Sequence, residues 1–361
     1  MDRSYAVILA GGKGQRFWPL STSRRPKQLL DLVHGKPLVT LSVERLQGLI
    51  PPERIFVITG GELEEAIREA APGLPPDNVV GEPVGRDTAP AVALGMALVS
   101  RRDPDGVFCI LTADHVIGQE EQFHRNVRDS FAMARRRDCL ITFGIPPAFA
   151  STGFGYIECG DPVEGPGSTE FFHARRFVEK PRKEVAEGYL IEGNYFWNSG
   201  MFVWSVSALA AALRRHRPDL HAMAERIKEV AGTPAFAPAL NEAYAKLDAV
   251  SVDYALMEHA DNIVMAKASF EWDDIGAWSA VAKYLPADPE GNNCRGACEL
   301  LESANNIVVS EGNRLTALIG VKDLVVVQAR NATLICARDA VQKVKAMVER
   351  LRESGCYDEA L

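Results

Sequence analysis

Nowhere in the 361 residues does an apolar run approach the roughly 20 residues of a membrane-spanning helix, so no membrane partner is expected. The first apolar stretch, Tyr5–Ala10, has no cationic segment ahead of it and is too short for a secretory leader. Positive charge is also in short supply: 40 basic against 48 acidic residues leave a net charge of −8, which removes the electrostatic footprint of a nucleic-acid binder. The seven cysteines, at 109, 139, 159, 294, 298, 336 and 356, are odd in number and scattered, several within apolar runs. They read as reduced, mostly buried thiols, and a cytoplasmic protein is expected. Cys294 and Cys298 are close, but no second Cys or His pair stands at zinc spacing, which argues against a structural metal. Internal repeats and low-complexity segments are absent.

What the chain does contain is concentrated first in Tyr5–Leu30, YAVILAGGKGQRFWPLSTSRRPKQLL. A short buried strand, Tyr5–Ala10, breaks into Gly11, Gly12, Lys13 and Gly14. Glycines let a backbone turn tightly and approach a ligand closely, and successive N–H groups in such a turn suit phosphate oxygens. Arg16, Arg24, Arg25 and Lys27 add cations, which an acidic protein must concentrate locally to bind an anion. The glycine register is wrong for a dinucleotide fingerprint, because Phe17 stands where the third glycine belongs. It is also wrong for a Walker loop, because Lys13 is followed by Gly14.

Strand-like and helix-like segments then alternate. Arg54–Thr59, Asn78–Gly81, Val107–Leu111 and Leu140–Gly144 have the branched apolar character of buried strands. Helical patterns cover 38–50, 62–71, 88–102 and 120–137, then 208–217, 220–230 and 251–259. This alternation predicts an α/β fold with a mixed, mostly parallel sheet, whose ligand lies at the carboxyl ends of the strands. That rule puts the loops after Ala10 and Leu111 on one edge. The polar stretch Pro286–Glu299 is the best boundary. It separates an expected catalytic domain, 1–287, from a small β-rich domain, 300–361, of β-helix-like character and ending in a helix.

Further segments carry chemistry. EPVGRDTAPA, from Glu82, reads either as a helix N-cap at Asp87 or Thr88, or as a nucleobase loop involving Glu82, Gly85, Arg86, Asp87 and Thr88. Asp114 follows a central strand, and a carboxylate there needs a cation or hydrogen-bond donors. Magnesium takes one or two carboxylates plus substrate phosphates. A second carboxylate is available in Asp273-Asp274, which otherwise reads as the N-cap of a helix at 275–284. TGFGYIE, FVEKP and NYFWNSGMF contain Gly155, Glu179, Lys180 and Asn198; alone, these read as a surface ion pair and turns.

Taken in order, LAGGKGQRFWPLS, RPKQLL, EPVGRDTAPA, LTADHVI, FVEKP, WNSGMF, SVDYALME and WDDIGAW resemble the sugar-nucleotide pyrophosphorylases (nucleotidyltransferases), specifically the mannose-1-phosphate guanylyltransferase pattern. The resemblance covers roughly residues 5–285 and extends into the tail. It implies a Rossmann-like nucleotidyltransferase domain that moves GMP from GTP to mannose 1-phosphate with Mg2+. It further implies that Leu9, Ala10, Gly11, Gly12 and Gly14 cradle the nucleotide, and that Arg16 and Lys27 bind its β and γ phosphates. Glu82, Gly85, Arg86, Asp87 and Thr88 would face the base, and Asp114 and Asp274 would hold the metal, with Asp273 the fallback. Lys180 would neutralise the sugar phosphate, while Glu179 and Asn198 meet sugar hydroxyls beside Gly155. Val252 and Thr112 depart from the usual isoleucine and proline without touching this set. A short monofunctional form is expected, since an added isomerase domain would need more chain, and a homodimer through the C-terminal β domain.

Overall fold

A computed structural model describes residues 3–361. The chain folds as two compact units that interleave along the sequence. One contains the strand leading to Gly11, Ser42–Ala113 and Ile117–Asp273; the other contains Gly12–Leu41, Asp114–Val116 and Asp274–Leu361.

The first unit is built on a nine-stranded sheet. In chain order its main elements are β1 (Ser4–Ala10), β2 (Ile55–Gly60), β3 (Val79–Glu82), α1 (Thr88–Arg102), β4 (Val107–Thr112), α2 (Glu120–Arg136) and β5 (Leu140–Ile145). There follow β6 (Tyr156–Val163), β7 (Phe171–Val178), β8 (Tyr195–Ser205), α3 (Val206–His216), α4 (Pro218–Val230), α5 (Phe236–Tyr244) and β9 (Ile263–Lys267). The strand order is β3-β2-β1-β4-β8-β5-β9-β7-β6. The four N-terminal strands run parallel, and β8 enters antiparallel between β4 and β5. The parallel strands β1, β2 and β4 are apolar and buried along nearly their whole length, as strands covered on both faces are. Helix α1 is buried from Ala89 to Ser100, which explains its run of small and apolar residues. At Gly95 even a Cβ would stand 2.7 Å from a Val7 methyl. The parallel register sets Leu9 beside Thr112, and Ala113 N–H donates to the Leu9 carbonyl at 2.9 Å. The ends of β1 and β4 therefore share one edge, as the alternation predicts.

The second unit holds β10 (Asn293–Arg295), β11 (Cys298–Leu301), β12 (Ile307–Ser310), β13 (Thr316–Ile319), β14 (Leu324–Gln328), β15 (Thr333–Ala337) and α6 (Val344–Ser354). Strands β10, β12 and β14 stack in parallel, as do β11 and β13, giving the successive rungs of a β-helix-like tail. Strand β15 then pairs antiparallel with β14. Ile307, Val309, Val325 and Val327 face one core with Val344 and Val348 of α6 and with Phe17, Trp18, Leu30 and Trp278.

The polar stretch 286–299 is not merely a connector, because it contains β10 and the start of β11. Its polarity has a structural use. Buried Asn292 accepts from the Asn306 backbone and amide at 3.0 and 2.9 Å, and buried Asn306 in turn accepts from Leu324 N at 2.9 Å. Each side chain thus closes the corner of the next rung. Three other expectations shift. The first helix stops at Glu44, where three-residue hydrogen bonds and Gly48 at φ 74° turn the chain. Segment 251–259 is a π-helical turn, Asp253–Met257, whose entry is fixed by Val252 N–H donating to the Thr88 hydroxyl. The helix at 275–284 is reduced to Trp278–Val281 and a following 3-10 turn. Among the described residues, no helix is long and apolar enough to cross a membrane.

Trp278 anchors the second unit: it is fully buried, meets Phe17 edge-on at 5.2 Å, and donates its indole N–H to the Trp18 carbonyl at 3.2 Å. Trp278→Ala is expected to destabilise the protein by about 3–5 kcal/mol. A denaturant midpoint unchanged from the parent would contradict this packing.

Candidate active site

The second unit carries a cavity of about 320 Å³, lined among others by Lys13, Gly14, Arg16, Lys27, Asp114 and Asp274. Gly14 sits at φ 57° and caps a 3-10 turn, Gln15–Phe17, that places Arg16 at the cavity and buries Phe17. A Cβ on Gly14 would collide with that of Lys27, so only glycine lets the loop pass so close to this lysine. Gly12 has nothing within 4 Å of where a side chain would start, which leaves the loop backbone open there.

Lys27 organises the floor. Its side chain is only 7% exposed, and its ammonium donates to Asp114 Oδ2 at 2.9 Å and to the Asp274 carbonyl at 2.5 Å. Burial alone would push the Asp114 carboxyl up, but the Lys27 charge, helped by His115, holds it below the usual carboxylate range. Arg16 reaches back to the Gly276 carbonyl at 3.4 Å. Asp114 and Asp274 line the same cavity, and among the described residues no group of three His, Cys, Asp or Glu side chains could enclose a metal ion by itself. Two carboxylates in a hollow also lined by Lys13, Arg16, Lys27 and Lys345 fit a divalent ion that completes its shell with phosphate and water oxygens. Asp273, the alternative, lies on the short strand Trp272–Asp273. His115 and Lys345 also line the cavity and were not anticipated. Lys345 sits in a terminal helix whose amphipathic pattern gives no sign of such a role.

In the first unit, Leu9, Ala10 and Gly11 form the carboxyl edge of β1, and Thr59 Oγ1 donates to the Ala10 carbonyl at 3.0 Å. Buried Glu82 ends β3 with one carboxylate oxygen 3.8 Å from where a Gly11 Cβ would be, and its other oxygen accepts from Tyr244 at 2.9 Å. Burial pushes Glu82 up to about 7, with the Tyr244 hydrogen bond opposing and Asp87 and Glu62 adding to the rise. Asp87, at φ 65°, caps α1 by accepting from Thr88 N–H at 2.7 Å. Arg86 donates to the Tyr244 carbonyl at 3.2 Å, and Thr88 accepts from Val252 N–H at 2.9 Å. Arg86, Asp87 and Thr88 therefore have structural partners, while Gly85 lies exposed at the turn.

A second cluster in this unit joins Gly155, Glu179, Lys180 and Asn198. Lys180, at φ 44°, donates to Glu179 at 2.6 Å, and the other Glu179 oxygen lies against Gly155, where a Cβ would collide with it. Asn198 N–H donates to the Gly155 carbonyl at 2.8 Å. Phe154, Trp197 and Trp272 wall the same region, with ring centroids 5.1 and 5.2 Å apart from Phe154. Asp253, which sequence reasoning did not single out, completes the cluster by accepting from the Asn198 amide at 2.9 Å. Its motif, SVDYALME, was visible in the sequence; the turn that aims its carboxylate was not.

Glu82 offers a stability test. Its carboxyl holds a proton to about pH 7 in the folded chain and to about 4.5 when free, so its stabilising contribution is complete below 4.5 and is lost as pH rises through 7. Glu82→Gln should therefore gain stability relative to the parent from pH 5 to pH 8, by at most about 3 kcal/mol. Thermal melts showing the same difference at both pH values would refute the buried charge.

Comparison with known proteins gives the family. Residues 5–290 match the nucleotidyl transferase family, and residues 299–351 match the mannose-phosphate isomerase/GMP-like β-helix domain. The chain is 37% identical over 362 residues to mannose-1-phosphate guanylyltransferase of Escherichia coli (strain K12), covering 99% of this chain and 75% of that one. It is also 37% identical to the corresponding enzyme of Salmonella typhimurium, covering 98% and 74%. The crystal structure of mannose-1-phosphate geranyltransferase from Thermus thermophilus superposes with a TM-score of 0.86 at 33% identity, covering 97% of this chain and 99% of that one. With both the family match and relatives alike along nearly the whole of this chain, it belongs to the nucleotidyl transferase family, among the mannose-1-phosphate guanylyltransferases.

Proposed function

We propose that this protein transfers GMP from GTP to α-D-mannose 1-phosphate, giving GDP-mannose and pyrophosphate. The observation that carries the reading is the cavity floored by Lys27 and Asp114 in a chain so similar to mannose-1-phosphate guanylyltransferases along its length. In the reaction a phosphate oxygen of the sugar phosphate bonds to the α-phosphorus of GTP, and the bond from that phosphorus to the bridging oxygen of pyrophosphate breaks. The sugar phosphate is already an anionic nucleophile, so no side chain need accept a proton. The barrier is the meeting of two polyanions, and it falls to positioning and charge compensation.

The residues divide that work. Gly11, Gly12 and Gly14 leave the backbone open to the triphosphate, and Arg16 and Lys27 compensate the charge that grows on departing pyrophosphate. Glu82 and the turn at Gly85–Thr88 receive the base, Lys180 meets the sugar phosphate, and Glu179 and Asn198 hold sugar hydroxyls beside Gly155. Asp114 and Asp274 would hold a divalent ion, for which we propose Mg2+; bound there it would neutralise and orient phosphate oxygens.

Arg16→Ala and Lys27→Ala should each lower turnover about 10²–10³-fold in a pyrophosphate-release assay. Near-parental rates in both would remove the phosphate-site assignment. Asp114→Asn should raise the Mg2+ concentration for half-maximal rate by about tenfold or more; an unchanged magnesium titration would remove Asp114 from the metal. A panel of nucleoside triphosphates and hexose 1-phosphates fixes the substrate pair.

We also propose a homodimer formed through the β-rich tail. Leu301 and Ile319 are register partners on neighbouring rungs and are 58% and 69% exposed, an apolar pair that a second copy would cover. Light scattering should give twice the chain mass for the parent and a monomer for Leu301→Glu with Ile319→Glu; a monomeric parent would end this reading.

A further inference from the structure

The geometry points to Asp253 as a positioning residue that locks the orientation of the Asn198 amide and thereby fixes which hydrogen-bonding group Asn198 offers to the sugar. This rests on the sugar-subsite reading given above.

The Asn198 carbonyl oxygen is engaged by the Thr142 hydroxyl at 2.9 Å and, more weakly, by Gly200 N–H at 3.4 Å. Its Nδ2 donates to Asp253 Oδ1 at 2.9 Å. Two of these partners have a fixed sense: a backbone N–H can only donate, and an ionised carboxylate can only accept. Flipping the amide would set donor against donor at Gly200 and acceptor against acceptor at Asp253. One Nδ2 hydrogen is left over. Asn198 therefore presents a donor to a sugar hydroxyl oxygen, and the carboxylates of Glu179 and Asp253 present acceptors. The π-helical turn that begins at Asp253 is what aims it, since its entry is tied by Val252 N–H to the Thr88 hydroxyl.

The lock has a pH limit. Burial, then the neighbouring Glu179, pushes Asp253 up to about 7, while Lys180 and the Asn198 hydrogen bond pull it down. The charged and titratable groups around it are Glu179 and Lys180 from the segment after β7, with Tyr254 beside it on its own turn. Above pH 7 the carboxylate enforces one amide orientation. Below it the protonated acid can donate as well as accept, and only the long Gly200 N–H contact still favours that orientation.

Steady-state kinetics at saturating GTP between pH 6 and 8.5 test this with the full chain. For the parent, KM for mannose 1-phosphate should rise several-fold as pH falls through 7, beyond what the substrate's own second ionisation near about 6 produces. Asp253→Asn should raise that KM about tenfold at pH 8 and abolish the step near 7, leaving only the substrate's own limb. Thr142→Val, which removes the uncharged side of the lock, should raise KM while keeping the step. In both variants KM for GTP should match the parent. Parental KM and pH dependence in Asp253→Asn would overturn the inference, as would a variant that weakens both substrates equally. A parent that turns over GTP with a different sugar phosphate only would instead overturn the underlying substrate reading, and this inference with it.

Discussion

The hydrogen bonds of a single ammonium group hold the second unit's chemistry together. Lys27 is buried, and a buried cation is tolerated only with partners that satisfy it. It finds them 87 residues away in Asp114 and 247 residues away in the Asp274 carbonyl. The surrounding chain conforms to that meeting. Gly14 gives up its side chain to pass the lysine stem, Phe17 lies beneath the ammonium at 5.7 Å, and Trp278 backs Phe17. Phosphate oxygens arriving there would meet cations already held in place, at no cost in reorganisation.

The first unit differs in its balance of groups. Beside one cation, Lys180, it gathers the carboxylates Glu82 at the end of β3, and Glu179 and Asp253 around Asn198. Each is largely withdrawn from water and bound to one well-defined donor, so each keeps acceptor capacity for a ligand rich in N–H or O–H groups. A base edge and a ring of sugar hydroxyls are such ligands, and a triphosphate is not.

Much of this was legible in the sequence because the signals are local. The parallel half of the sheet followed from short apolar runs alternating with helical periods, and the glycine loop, Lys27, Asp114 and the E-K-P segment were visible as letters at strand ends. What escaped depends on long-range satisfaction of polar groups. Asn292 and Asn306 look like linker residues, yet they are buried because each closes a neighbouring rung. Asp253 sits where an ordinary helix fits the pattern equally well, and the turn it begins is entered from Val250 and Val252, both tied to the start of α1 by hydrogen bonds. Lys345 lies on a helix whose alternation of apolar and charged residues records packing alone. The interleaving of the two units is equally invisible, since it depends on which distant segments meet.

The reversal at β15 has a consequence of another kind. Parallel rungs present an open row of N–H and C=O groups to whatever strand comes next, which makes such a stack a template for indefinite addition. Here the strand laid on β14 runs the other way, so it cannot serve as the next rung of the same coil. Leu334 of β15 turns into the core beside Val341 and Val344, so the stop is held in place by packing as well as by hydrogen bonds. The coil of parallel rungs thereby ends at β14 on that side.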